Sequence, residues 1–253
     1  MEREPPSHAA DEPLPGAGSR GRCGTGSRGH WRLVAIAAVS IGGPLLAAVA
    51  FLRQEPAFYR TAVAAQDAAA LDPLARRMVS RASALHAAVS RTGAWEGVIS
   101  DRELNAWLAT SLPRNHRELL PRGISAPRVV FQPHRLQIGT RAAVGPFAAV
   151  AWADVEVWLK GVDQVGLRVA AAGIGGIPVP RDAMLRQIAA RLSRAGFATD
   201  LRRVEGTTVL VVSPPVTYDG KARGWRLESL AIDAGELLLA GSTGPRGKGA
   251  QPE

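Results

Sequence analysis

The stretch that decides the fold is Arg135–Glu156, RLQIGTRAAVGPFAAVAWADVE. Gly145-Pro146 sits near its middle, and the residues on either side alternate with a period of two. If these two residues form a hairpin loop, Val144 faces Phe147, Gly139 faces Trp152, Gln137 faces Asp154 and Arg135 faces Glu156. The other side then pairs Leu136, Ile138 and Thr140 with Val155, Ala153 and Ala151. Polar meets polar and apolar meets apolar along the whole ladder. A slip of one residue would turn every side chain to the wrong face. The stretch therefore predicts an antiparallel hairpin with one wet and one buried face.

The same period extends outward. PRVVF before the hairpin and VGLRVAAAGI after it read as further strands, with turns at Pro133-His134 and Gly161–Gln164. Next, GGIPVPRDAMLRQIAARLSRAGF is a Gly/Pro turn leading to a helix over 181–195. Met184, Leu185, Ile188 and Leu192 form its apolar side, and Gly196 caps it. TDLRRVEGTTVLVVSPP predicts a second hairpin turning at Glu205-Gly206. GWRLESLAIDAGELLLAGST predicts two final strands turning at Asp233–Gly235. No repeat of fixed period is present.

Upstream, Asp72-Pro73 predicts a helix start that runs to about Gly93, with Leu74, Met78, Leu85 and Val89 near helical spacing. Residues 57–72 read as a juxtamembrane helix or stalk. Trp95 to Ile99 predicts a short strand. Ser100 with Glu103 forms a capping-box pattern, followed by a stripe of Leu104, Trp107 and Leu108 that Pro113 closes. Helices and strands in this order define an α+β chain with a largely antiparallel sheet.

The N-terminal quarter is of another kind. Residues 1–30 are rich in Pro, Gly, Ser and Arg and predict disorder. Leu33–Leu52 is an uncharged run of the length a bilayer requires, about 20 residues. Gly42, Gly43 and Pro44 interrupt it, which membrane helices tolerate. Four arginines and no acid lie between Pro13 and Arg32, so the tail is expected in the cytoplasm and the remainder outside it. Ala48-Val49-Ala50 is an A-x-A pattern, which keeps cleavage after Ala50 open as the alternative to an uncleaved anchor. The expected organisation is a disordered basic tail over 1–30, a single transmembrane helix over 31–53 and juxtamembrane helices over 54–93. An exoplasmic α+β domain over 94–242 and a disordered tail over 243–253 complete it.

Charge and cysteine content exclude several classes. The chain of 253 residues carries a formal charge of +9, from 31 basic and 22 acidic residues. The basic residues are 28 Arg and 3 Lys, scattered along every segment rather than gathered on one face, so nucleic acid is not the expected partner. The single cysteine, Cys23, excludes an intramolecular disulfide and leaves no Cys-based metal site. Neither H-E-x-x-H, G-x-S-x-G nor a phosphate-loop pattern occurs, and no catalytic residue, cofactor or metal is predicted. The Gly173–Gly176 cluster reads as a turn.

ISDRELNAWL before a helix, PRVVF leading a meander and GGIPVPRDAML introducing a helix together resemble uncharacterised single-pass bacterial envelope proteins of planctomycete type. More distantly, the chain is similar to the YpmS-like and LmeA-like membrane-anchored proteins. The matching residues are Leu104, Asn105, Trp107 and Leu108, then Gly176, Ile177, Pro178, Val179 and Pro180, within a similarity spanning roughly 33–242. The resemblance implies a domain like tubular lipid-binding folds, in which a curved antiparallel sheet packs on amphipathic helices around an apolar groove. It implies no catalytic residues.

Three functions follow in order. The first is a membrane-anchored, non-enzymatic exoplasmic domain that holds a lipid or another apolar envelope component. The second is a scaffold that meets an envelope protein through the face of Trp152, Asp154, Glu156 and Trp158. The third and most distant is a glycan hydrolase. Asp154 and Glu156 lie about 6–7 Å apart at strand spacing, but the predicted pairing of Arg135 with Glu156 disfavours an acid role. Arg186, Arg191 and Arg194 on the helix over 181–195 are candidate contacts for anionic head groups. The expected site is the bacterial cytoplasmic membrane, with one span.

Overall fold

The computed structural model describes residues 47, 49–65, 67–145, 147–215, 217–218, 221–222 and 224–244. Two short helical regions open it: residues 49–52, then α1 (Ala57–Ala64). The long helix α2 (Ala68–Val89) follows, then β1 (Gly93–Ser100), α3 (Asp101–Asn115) and a single 3-10 turn at Arg117–Leu119. A meander comes next: β2 (Ile124–Gln132), β3 (Arg135–Val144), β4 (Phe147–Gly161) and β5 (Gln164–Ile174), with the two-residue β6 (Ile177–Pro178). Helix α4 (Arg181–Arg194) leads into β7 (Ala198–Val204) and β8 (Thr207–Ser213). After the small pair β9 (Thr217–Tyr218) and β10 (Lys221–Ala222), β11 (Trp225–Asp233) and β12 (Glu236–Thr243) end the described chain. The α+β class expected from the sequence is the observed one. The expected membrane span and both expected disordered tails fall wholly or mostly outside the described residues. Among the described residues, no helix is long and apolar enough to cross a membrane.

All strand pairings are antiparallel. The large sheet has the order β2-β3-β4-β5-β8-β7, with β6 folded back on β5, and the small sheet has the order β1-β12-β11. In the β3–β4 hairpin the register pairs Arg135 with Glu156, Gln137 with Asp154, Gly139 with Trp152 and Val144 with Phe147, as the alternation of the sequence predicts. The core lies on the Val155 side. Ala153, Val155 and Val157 of β4 meet Leu185 and Ala189 of α4, Leu210 and Val212 of β8, Phe131 of β2 and Ile232 of β11. Burying a side chain such as Leu185 contributes about 2 kcal/mol.

The other face of the hairpin is not simply wet. Helix α1 roofs it at the Gly139 end, where the fully buried Tyr59 lies on the glycine with Phe58 beside it. The Tyr59 hydroxyl donates to the carbonyl of Ala126 at 2.8 Å. Ala126 has φ +48° and sits in the β2 bulge between Ser125 and Arg128, so the phenol holds an irregular stretch of edge strand in place. Burial raises the Tyr59 pKa above its ordinary value.

Several local expectations are corrected. Helix α2 starts five residues before the predicted Asp72-Pro73, because Asp67 accepts from the Ala69 amide at 3.0 Å and supplies an earlier cap, leaving Pro73 inside the helix. Ser100 makes no side-chain cap on α3, since it is still paired in β1 with Glu236, and the Asp101 amide donates to the Gly235 carbonyl instead. Glu103, freed from the cap, is buried and ion-paired with Arg81 Nε at 3.0 Å. Helix α3 buries Asn105, Ala106, Thr110 and Leu112 more deeply than the expected stripe of Leu104, Trp107 and Leu108. It also continues past Pro113 to Asn115.

The reason α3 turns a polar side inward is the edge of the large sheet. The Asn105 side chain donates to the Val129 carbonyl at 2.6 Å and accepts from the Val129 amide at 2.8 Å. One turn earlier, Asp101 Oδ2 accepts from the Phe131 amide at 3.4 Å. Two side chains at i and i+4 thus stand in for a neighbouring strand along β2. Desolvation in this position raises the Asp101 pKa above the usual carboxylate range, partly opposed by the backbone amides it accepts from. Replacing Asn105 with Ala would leave the Val129 N–H and C=O unpaired and buried. We expect Asn105→Ala to lower the unfolding free energy by about 3 kcal/mol, as read by urea titration, whereas Leu119→Ala on the exposed turn would change it little.

Candidate functional site

Two regions stand out, of which the sequence pointed to one. The first is the face of β4 that carries Trp152, Asp154, Glu156 and Trp158, which strand alternation brings together. It is organised by pairing across strands. Arg135 lies 3.4 Å from Asp154 and 3.5 Å from Glu156, and Arg168 of β5 also binds Glu156. With guanidinium groups on both sides, Glu156 has its oxygens occupied, which suits a salt-bridged surface better than glycoside chemistry.

The tryptophans on this face obey a rule that composition alone did not reveal. Each lies on a glycine directly across the ladder: Trp152 on Gly173, Trp158 on Gly166 and, in the small sheet, Trp95 on Gly241. A Cβ at Gly166 or Gly241 would fall well inside contact distance of the indole. The missing side chain lets each ring lie flat against the neighbouring backbone. Trp152 is further fixed by its Nε1–H, which donates to the Gly175 carbonyl at 2.9 Å. Only Trp158, 36 % exposed, is open to solvent. It borders a groove of about 340 Å³ shared with Glu156, Arg168, Val204 and Thr207.

Arg186, Arg191 and Arg194 are exposed on the outer side of α4, opposite Leu185 and Ala189. Arg194 Nε donates back to the Ala190 carbonyl. At 100° per residue the three spread over roughly 140° of the helix surface, so they do not converge on one point.

The second region was not singled out from the sequence. Between α2 and the small sheet runs a groove of about 670 Å³, largely apolar in its lining. One wall is Ala84, Leu85 and Ala88 of α2. The other is Val98 of β1, Ala231 of β11 and Leu238 of β12, the last 39 % exposed. Leu85 fits here because its Cδ1 would stand 2.8 Å from a Cβ on Gly97. Arg81 forms the rim. Its Nη1 donates to the Val98 carbonyl at 3.3 Å, and its Nε pairs with Glu103. Glu96 lines the same groove. The signal that could have found it is Leu237-Leu238-Leu239. Leu237 packs against the core, so by alternation Leu238 makes the opposite side of β12 apolar as well.

A third cleft, of about 510 Å³ between α2 and α3, brings His86 and His116 to one place beside Trp107 and Met78. Trp107 and His116 have ring centroids 5.9 Å apart. Among the described residues, no group of three or more His, Cys, Asp or Glu side chains is arranged to hold a metal ion.

Comparison with protein-family models, with curated proteins and with solved structures returned no match.

The Trp-on-Gly rule makes a direct test. Gly241→Ala would press a methyl group against both the Trp95 ring and the Arg226 carbonyl, and is expected to cost about 3 kcal/mol. Gly161→Ala, with nothing within 4 Å of the added carbon, should leave the melting temperature almost unchanged. Differential scanning fluorimetry of the two variants compares them.

Proposed function

We propose that this protein is a membrane-tethered, non-enzymatic module that holds a lipid acyl chain in the groove between α2 and the small sheet. The observation that carries the reading is the groove itself. Its volume of about 670 Å³ is within the usual range for small-molecule sites, roughly 300–1,000 Å³, and its walls are mostly Ala, Leu and Val, with Arg81 at the rim and Glu96 as the one carboxylate of the lining. An exposed apolar sheet face of this kind marks a binding surface more often than bare solvent contact.

The tether is read from the Leu33–Leu52 run and the arginines before it. On this reading the protein sits in the bacterial cytoplasmic membrane, with its N-terminus cytoplasmic and its folded domain outside. The last residues of that run and the chain just after it are fastened to the domain rather than left as a loose stalk. The Phe51 carbonyl accepts from the Gly176 amide at 2.7 Å, and Glu55 pairs with Arg141 at 3.0 Å. Arg53 lies over the Phe147 ring, 6.0 Å from its centroid. These contacts lie at the end of the large sheet that holds the β3–β4 turn. The small sheet docks at the other end, through the turns that hold His134 and Asp163. Strand β4 spans the distance with 15 residues, about 50 Å at strand rise. The proposed ligand is therefore held away from the point of attachment.

A second reading rests on Trp158. A half-exposed indole beside a salt-bridged patch suits a protein–protein contact, in which case the domain is a scaffold in the envelope.

The test is native mass spectrometry of the full chain released from detergent. Wild type should carry lipid-sized adducts, and Leu238→Arg and Ala231→Glu, both at exposed positions, should lose at least about 90 % of them. Protein free of adducts that also fails to bind a fluorescent fatty acid would overturn the lipid reading and favour the scaffold. Reporter fusions at the C-terminus should be active only outside the cytoplasm.

A further inference from the structure

Among the described residues, the two larger sheets have four outer edges, and three of them are met by side chains or turns. Asn105 and Asp101 of α3 cover β2. Arg81 of α2 reaches the Val98 carbonyl on β1. Turn residues meet β11: the His134 amide donates to Ile232, the Asp163 amide donates to Leu227, and the Asp163 carboxylate accepts from the Leu227 amide. The fourth edge, β7, differs. It pairs with β8 along its whole length, Ala198 with Ser213 through Val204 with Thr207. Among the described residues, no side chain or turn is hydrogen-bonded to its outer backbone. Leu201 and Val204 are 41 % and 50 % exposed. A bare edge of seven residues, with Leu201 and Val204 exposed between Asp200, Arg202 and Arg203, can template another strand whose charges match its own.

The sequence of the edge says which strand. Leu201 is the midpoint of Ala198–Val204. If a second copy of β7 lies antiparallel about a two-fold axis at that midpoint, Leu201 meets Leu201 of the second copy. Asp200 then meets Arg202 of the second copy, Arg202 meets Asp200, and Ala198 meets Val204 at both ends. Asp200 and Arg202 already bond to each other within one strand. Pairing the two copies would therefore place four charges of alternating sign around the axis. An isologous contact needs such self-complementarity, and an arbitrary edge lacks it.

We propose that the protein forms a two-fold dimer by pairing β7 with β7 of a second copy, which joins the two large sheets into one. This does not depend on what the groove holds.

The test uses the full chain in detergent micelles. In a Cys23→Ser background, Leu201→Cys places two thiols opposite each other at a strand-pair separation of about 4.5–5.5 Å between Cα atoms, within disulfide range. Mild oxidation should convert it to a covalent dimer, and Val162→Cys, also exposed, should stay monomeric. Asp200→Arg alone and Arg202→Asp alone should each raise the dimer dissociation constant about tenfold, by setting like charges across the axis twice. The double variant Asp200→Arg/Arg202→Asp restores every opposite-charge pair and should restore dimerisation. A chain that is monomeric at tens of micromolar, or a dimer indifferent to both single reversals and uncrosslinked at position 201, overturns the proposal and leaves the edge to a strand from a different protein.

Discussion

A β-sheet that does not close on itself leaves a row of backbone donors and acceptors along each outer strand, and much of this molecule is arranged around that fact. The Asn105 amide on Val129 is the clearest case. One side chain gives and takes the two hydrogen bonds that a neighbouring strand would supply. Asp101, a turn away on the same helix, accepts from the next outward amide. Helix α3 is thereby fixed against β2, and α2 is fixed against α3 through the buried Glu103 and its partner Arg81. Arg81 in turn reaches the edge of β1. Edge closure, not a stripe of large apolar residues, sets where these helices lie.

The same constraint joins the two sheets. His134 and Asp163 both adopt positive φ at hairpin turns, and both present backbone groups to the outer side of β11. The turns at one end of the large sheet thus become partners for the small one. That docking leaves a gap between α2 and the small sheet, and the gap is the groove. The groove follows from the way the edges are satisfied, because α2 meets the small sheet at the edge strand β1 and leaves the middle of that sheet uncovered.

Alanine and glycine shape the remainder. In a chain with six tryptophans and 27 glycines, three of the tryptophans lie on glycines directly across a ladder. The pairing lets the indoles lie flat on the sheet where large residues would otherwise stand off. It also changes the meaning of the Trp152–Trp158 face. That surface is held by stacking on backbone and by Arg135 and Arg168, so its exposed part narrows to the surroundings of Trp158.

By itself, the sequence determined the elements whose signals are local. Alternation in Arg135–Glu156 sets a register with only one consistent solution, because strand side chains repeat every two residues and a slip inverts the faces. The turns at Pro133-His134, Glu205-Gly206 and Asp233–Gly235, and the apolar side of α4, are legible for the same reason. What only the tertiary structure decided are the partners reached across long sequence separations. Asn105 looks like an ordinary helix residue until β2 arrives beside it. Ser100 and Glu103 match a capping box until strand β12 and Arg81 claim them. Leu85 and Leu238 line one groove from positions 153 apart. No local period records such meetings, because backbone hydrogen bonds at a sheet edge can be satisfied by any group that the rest of the fold delivers there.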